Sequence, residues 1–206
     1  YSFNMGHMYA YATMNLVYKY NEKDPNKDWP AAGAGKLMGL ASFGNKMWLE
    51  TQPYLCEYND EDHTFTNDPL TFFNSYPTIN VNSSFGDKAN VAAVFQREQE
   101  RMALTVAKRA KKLSGSKNIC LAGGSFLNCN SNELIIKSGE FDNCYFVPPA
   151  DDSGIPLGCA WWGYQQIAEI EKNNFLSPYI GKKYTKKEIV RDLQKAQLTR
   201  TEIKEG

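Results

Sequence analysis

Asn118-Ile-Cys-Leu-Ala122, followed at once by Gly123-Gly124 and then by Ser125 to Ser138, decides the fold class. The apolar run has strand length and is too short for a helix. Two glycines close it, and Ser125 to about Ser138 predicts a helix broken by Gly139. The grammar then repeats. Cys144-Tyr-Phe-Val147 predicts a second buried strand, and Pro148-Pro-Ala-Asp-Asp-Ser-Gly154 a loop. A helix follows, with Pro156 suited to its first position and Leu157, Ala160, Trp161, Tyr164, Ile167 and Ala168 along one stripe. Strand, loop and helix, twice over, specify an α/β architecture.

Upstream, Asp87 or Asn90 caps a helix running to about Leu113, with Val91, Phe95, Met102 and Val106 on one face. Ser114-Gly115 stops it, and Lys108, Arg109, Lys111 and Lys112 gather where the helix dipole favours cations. Gly6 to Tyr20 predicts a mostly buried helix ended by the polar stretch Asn21 to Pro30. Four glycines surround a short apolar run between Ala31 and Gly44. Residues 50–90 carry no sustained period and are expected to be loops with short elements. They are a candidate for acceptor contacts or an insertion without function. Thr185 to Ala196 predicts a last, polar helix.

The 206 residues carry 23 basic and 23 acidic side chains, which leaves no basic footprint for a nucleic acid. No apolar run approaches the ~18–20 residues of a membrane span. The five cysteines include no Cys-x-x-Cys pair, as expected of free thiols in a reducing cytoplasm. Three of them lie in apolar or small-residue runs, as buried free thiols do. The chain opens at Tyr1 and closes on the charged run Thr199 to Gly206, so it is expected to be cut from a longer protein.

Ligands of open α/β sheets bind beyond the carboxyl ends of the strands, and both informative loops lie there. Gly123-Gly124 lets a backbone approach a phosphate or a flat ring, or simply makes a tight turn. Asn128, one turn into the expected helix, is placed to face the same ligand. In the second loop Asp151, Asp152 and Ser153 supply either a helix cap or a carboxylate ligand for a hard cation. Parallel pairing of the two strands would set these loops side by side. Lys36 is a weak phosphate candidate, because Leu37 follows it where a P-loop needs Ser or Thr. His7, His63 and Cys56 form no zinc spacing, and no nucleophile elbow is present.

Three of these stretches resemble elements of the nodulation-factor and cephalosporin O-carbamoyltransferase family. Gly35-Lys-Leu-Met-Gly-Leu-Ala-Ser-Phe-Gly44 is similar to its Gly-Lys-x-Met-Gly-Leu-Ala-x-Tyr-Gly element. Leu121-Ala-Gly-Gly-Ser-Phe-Leu-Asn-Cys-Asn-Ser-Asn132 resembles Leu-Ala-Gly-Gly-Val-Ala-Leu-Asn-Cys-x-x-Asn. Pro148-Pro-Ala-Asp-Asp-Ser-Gly-Ile-Pro-Leu-Gly-Cys-Ala160 resembles Pro-Pro-Ala-Gly-Asp-Ala-Gly-x-Ala-Leu-Gly-Ala-Ala. The likeness runs from about Gly6 to Tyr184.

The resemblance implies an actin-like ATPase fold, of ribonuclease H-like type, with a mixed sheet flanked by helices. Residues 1–184 would be the second lobe of the actin-like domain, and 185–206 a helical linker toward a carboxyl-terminal adenylating domain outside the chain. That adenylating domain would make carbamoyl-adenylate from ATP and carbamoyl phosphate. The actin-like domain would pass the carbamoyl group to a small-molecule hydroxyl, aided by a divalent metal of iron or magnesium type. Gly123, Gly124 and Asn128 would line the nucleotide, with Lys36 a weaker candidate, and Asp152 would ligate the metal. A catalytic residue is not assigned, and the amino-terminal lobe would supply the family's His-x-x-x-His pair.

Three departures bear on this. Ser125-Phe126 stands for a small pair, Asp151 for a glycine, and Ile155-Pro156 for small residues. Other readings are an actin-like phosphotransferase of sugar or acetate kinase type and a non-catalytic nucleotide-binding module.

Overall fold

The computed structural model describes residues 5–17, 33–61, 63–66, 76, 78–169 and 181–198. Two compact units divide the chain, Tyr1–Gly163 and Tyr164–Gly206. The first begins with helix α1 (Met5–Leu16), α2 (Ala34–Ala41) and the short α3 (Lys46–Thr51). A two-residue antiparallel pair follows, β1 (Glu57–Tyr58) with β2 (Phe65–Thr66). Next come the long helix α4 (Phe85–Ser114), strand β3 (Asn118–Leu121), a 3-10 turn at Gly124–Leu127, and α5 (Cys129–Lys137). Strand β4 (Asn143–Phe146), a 3-10 turn at Asp152–Gly154 and α6 (Ile155–Gln165) complete the order. The second unit holds α7 (Lys186–Lys195), closed by a reciprocal box between Thr185 and Glu188.

The helix α4 is the spine. Val91, Val94 and Phe95 of its first half, with Met102 just past the middle, pack against Met8 and Leu16 of α1 and Leu37 of α2. Its second half sets Ala103 and Ala107 against Leu121, Ile135 and Phe141. A fully buried Phe or Met contributes about 1.5–3 kcal/mol. Gly44 follows α2 where a Cβ would fall 2.5 Å from the Ala93 Cβ, so only glycine lets these helices close.

β3 and β4 run parallel with Ile119 opposite Cys144 and Leu121 opposite Phe146. These four side chains face the core. The alternate pairs, Asn118 with Asn143 and Cys120 with Tyr145, face outward, and the Asn143 amide donates to the Asn118 side chain at 2.8 Å. This is a mixed α/β arrangement with a small parallel sheet.

Several expectations are corrected. Ser84, not Asp87 or Asn90, caps α4 by accepting from the Asp87 N–H at 3.1 Å. Asn90 instead accepts from the Asn45 N–H. Val106 is exposed, while Val91, Phe95 and Met102 are buried. Residues 125–138 do not form one helix, because Asn128 is extended and starts α5 afresh. The glycine-containing run at 34–41 is helical. The predicted stripe on α6 buries nothing there: Leu157, Trp161 and Tyr164 are exposed. Ile155 opens that helix and Pro156 stands second, still within the turn that needs no N–H. Of the cysteines only Cys56 is buried, since Cys120 and Cys159 are exposed and Cys144 is half-buried. The expected helix over Gly6 to Tyr20 is seen as Met5–Leu16; residues 18–30 lie outside the described residues.

Candidate functional site

The parallel register carries both strands to the same edge, and the loops leaving them touch. The Gly123 N–H donates to the Ala150 carbonyl at 2.6 Å, and the Val147 N–H to the Leu121 carbonyl at 3.1 Å. Gly123 has φ 104° and ψ 147°, a conformation open in practice only to glycine. A Cβ built on Gly124 would lie 4.0 Å from the Asp151 Cβ, so the glycine turn and the acidic loop share one wall. Across that loop, a Cβ on Gly154 would fall 2.1 Å from the Pro149 carbonyl oxygen, which makes glycine obligatory.

The two aspartates divide the work. Asp151 is the cap: its carboxylate accepts from the Ser153 N–H at 3.1 Å and from the Ser153 hydroxyl. Those bonds hold its carboxyl below the usual carboxylate range. Asp152, one residue on, is exposed; its carbonyl accepts from the Ile155 N–H, and its carboxylate makes no hydrogen bond or ion pair among the described residues. Capping and ligation therefore need not compete for one side chain.

Asn128 is 8% exposed and serves as the N-cap of α5, accepting from the Ser131 N–H at 3.1 Å. Its amide also exchanges two bonds of 3.0 Å with the buried side chain of Gln96 on α4. Tyr9 of α1 donates to the same Gln96 oxygen, and burial pushes the Tyr9 phenol well above its ordinary value. By position in the helix, the N–H groups of Cys129 and Asn130 have no intrahelical acceptor, which gives this end of α5 a partial positive charge. Behind the turn, buried oxygens of Gln99, Ser131 and Asn132 have no hydrogen-bond partner among the described residues, although the Gln99 and Asn132 amides donate to the Ser125 and Phe126 carbonyls.

Lys36 is exposed on α2 and lines an open cleft of about 310 Å³ with Leu16, Val17, Leu40, Phe43, Phe85 and Lys88. None of these belongs to the two loops. The structure thus sets Gly123 and Gly124 against the loop of Asp151 and Asp152, places Asn128 at the start of α5 with its side chain tied inward to Gln96, and sets Lys36 against a different surface. No cluster of three His, Cys, Asp or Glu side chains able to hold a metal occurs among the described residues.

The sequence reading missed the polar groups inside α4. Gln96, Glu98 and Gln99 are buried beside the apolar positions, where a periodicity argument assigns polar residues to solvent. Glu98 pairs with Arg97 at 3.2 Å and with Arg101 at 2.8 Å. Arg97 in turn donates to the carbonyls of Leu49, Gln52 and Pro53, and Arg101 to that of Cys56. The available signal was their density: three uncharged or paired polar residues within one turn of the strongest apolar stretch.

Residues 1–161 match the family described as the carbamoyltransferase N-terminus. An uncharacterized protein of Synechocystis sp. is 26% identical over 208 residues, covering 90% of this chain and 32% of that protein. Nodulation protein U of Bradyrhizobium diazoefficiens is 26% identical over 175 residues, 76% of this chain and 30% of its own length. Nodulation protein NolO of the same organism is 37% identical over 71 residues, 34% of this chain and 13% of its own length. The chain spans about a third or less of the length of these relatives. No helix among the described residues is long and apolar enough to cross a membrane.

Proposed function

The chain belongs to the carbamoyltransferase N-terminus family, and we propose that it acts, within a longer protein, as the nucleotide-binding lobe of an ATP-dependent O-carbamoyltransferase with an actin-like fold. The observation that carries this reading is the contact between the two strand-end loops, with Gly123 bonded to Ala150 and Gly124 facing Asp151. A glycine turn opening onto a helix amino end suits the phosphate side of an adenylate. The adjoining exposed carboxylate of Asp152 suits a cation.

The reaction joins an acceptor hydroxyl oxygen to the carbamoyl carbon of carbamoyl-adenylate. The bond from that carbon to the phosphate oxygen breaks, AMP leaves, and the hydroxyl proton passes to a base. Carbamoyl phosphate and ATP supply the adenylate: water releases phosphate from carbamoyl phosphate, and the carbamate oxygen attacks the α-phosphate of ATP with loss of pyrophosphate. Gly123 and Gly124 admit the ligand to the backbone, α5 presents its amino end, and Asn128 contributes a side-chain donor. Asp152 would supply one oxygen to a divalent ion, with other ligands from outside the described residues; when bound, such an ion supplies Lewis-acid stabilisation to the developing oxyanion.

The test uses the full-length protein with ATP, carbamoyl phosphate and an acceptor alcohol. Asp152→Ala is expected to lower acceptor carbamoylation by about 100-fold or more while adenylate formation continues. Loss of both steps, or of neither, contradicts the role given to Asp152. Phosphorylation of the acceptor without carbamoyl phosphate would instead make the protein a phosphotransferase.

A further inference from the structure

We infer that Gln96 is a positioning residue for the proposed nucleotide site, setting through Asn128 what that site can offer its ligand; the inference rests on the nucleotide-binding reading. Gln96 sits in the middle of α4 and belongs to neither loop. All four bonding positions of its amide are used. The oxygen accepts from the Tyr9 hydroxyl at 2.6 Å and from the Asn128 amide at 3.0 Å. The nitrogen donates to a Glu100 carboxylate oxygen at 2.7 Å and to the Asn128 oxygen at 3.0 Å. The Gln96 and Asn128 amides thus form a closed two-bond ring.

Two groups at the ends of this network have only one possible sense. An ionised carboxylate only accepts, so the Gln96 atom facing Glu100 is the nitrogen. A backbone N–H only donates, so the Asn128 atom facing Ser131 is the oxygen. Both amides are therefore oriented by chemistry, not by the similar outlines of N and O. The Asn128 oxygen has both lone pairs occupied, by Ser131 and Gln96, and one of its two N–H bonds goes to Gln96. What remains is its second N–H, a donor that the Tyr9 hydroxyl oxygen shares. A ligand group that meets Asn128 must be an acceptor, such as a ribose or phosphate oxygen or a ring nitrogen. Without Gln96 the Asn128 amide keeps its oxygen's bond to Ser131 and its approach to Tyr9 but loses both bonds of the closed ring, and a buried polar network loses its partner.

The experiment measures ATP affinity of the full-length protein well below the melting temperature of each variant. Asn-selective ¹⁵N labelling reads, in parallel, the solvent exchange of the Asn128 side-chain amide. Gln96→Leu, and Gln96→Glu as the closer isostere that loses the donor to the Asn128 oxygen, are expected to weaken ATP binding about tenfold, and Gln96→Leu to release the protected Asn128 amide hydrogen. Glu100→Gln still offers an acceptor to Gln96 and is expected to keep ATP affinity within about twofold. Unchanged ATP affinity in both Gln96 variants while Asn128→Ala loses it overturns the inference, and so does an Asn128 amide that stays protected in Gln96→Leu. If the unaltered protein fails to bind ATP, the nucleotide reading fails, and the amide exchange alone decides whether Gln96 sets Asn128.

Discussion

Two buried polar centres sit two residues apart on α4, and at about 100° per residue they face nearly opposite sides of the helix. The Gln96 centre is neutral apart from Glu100 and ties α4 to α1 and to the start of α5. The Glu98 centre is ionic, with a fully buried carboxylate between two arginines. Those arginines hold the carbonyls of a segment that has almost no regular structure after α3, and the Tyr54 ring lies 4.7 Å and 4.9 Å from their guanidinium carbons. One helix thus anchors an irregular segment by charge on one side and orients a helix cap by matched amides on the other. The lesson is that a buried polar group can secure the fold or aim a neighbour, and the two uses differ in which property fails first.

Breaking the ionic side should give the largest effect on stability. Glu98→Ala leaves two part-buried guanidinium groups without their counter-charge, a loss of about 3 kcal/mol. Thermal unfolding should show it, while ATP affinity at a temperature where the variant stays folded should not change. A parallel fall in ATP affinity would mean that the two centres act as one.

A smaller effect sharpens the same contrast through Cys56, whose thiol lies 3.5 Å from Glu98 and 3.2 Å from Arg101. Burial, with the charge of Glu98 adding to it, pushes this thiol up to about 12. A raised value in the folded protein favours the neutral thiol. The resulting stabilisation is complete below the ordinary thiol range and fades as pH rises toward the folded value. Iodoacetamide at pH 9 should therefore label the exposed Cys120, Cys129 and Cys159 and spare Cys56. In Glu98→Ala, Cys56 should become reactive. Labelling of Cys56 in the unaltered protein at the rate of Cys120 would contradict its burial.

The elements with strong local signals were legible in the sequence. β3 and β4 were set by short apolar runs with glycine and proline after them, and α7 by Thr185 and Glu188 at capping spacing. The end of α4 was set by Gly115, which is left-handed at φ 64°. The side-by-side placement of the two loops followed from parallel pairing. Less was legible where tertiary contacts decide. The helix at 34–41 forms although Gly35 and Gly39 disfavour it, because Leu37 and Ala41 are buried on α4 and α1. Asn128 breaks a helical pattern because its side chain gains both a cap and the Gln96 pair. For α6 the apolar composition was read as one stripe, yet its member Trp161 is 45% exposed.

The central claim is that the glycine turn and the acidic loop form one ligand site, and Gly124→Val tests it most directly. The nearest atom to a Cβ there is the Asp151 Cβ at 4.0 Å, so the backbone tolerates a side chain that would stand between the loops. ATP titration of the full-length variant should show binding weakened at least about tenfold, with stability changed by less than about 1 kcal/mol. A variant that melts like the unaltered protein and binds ATP with the same affinity would contradict the account.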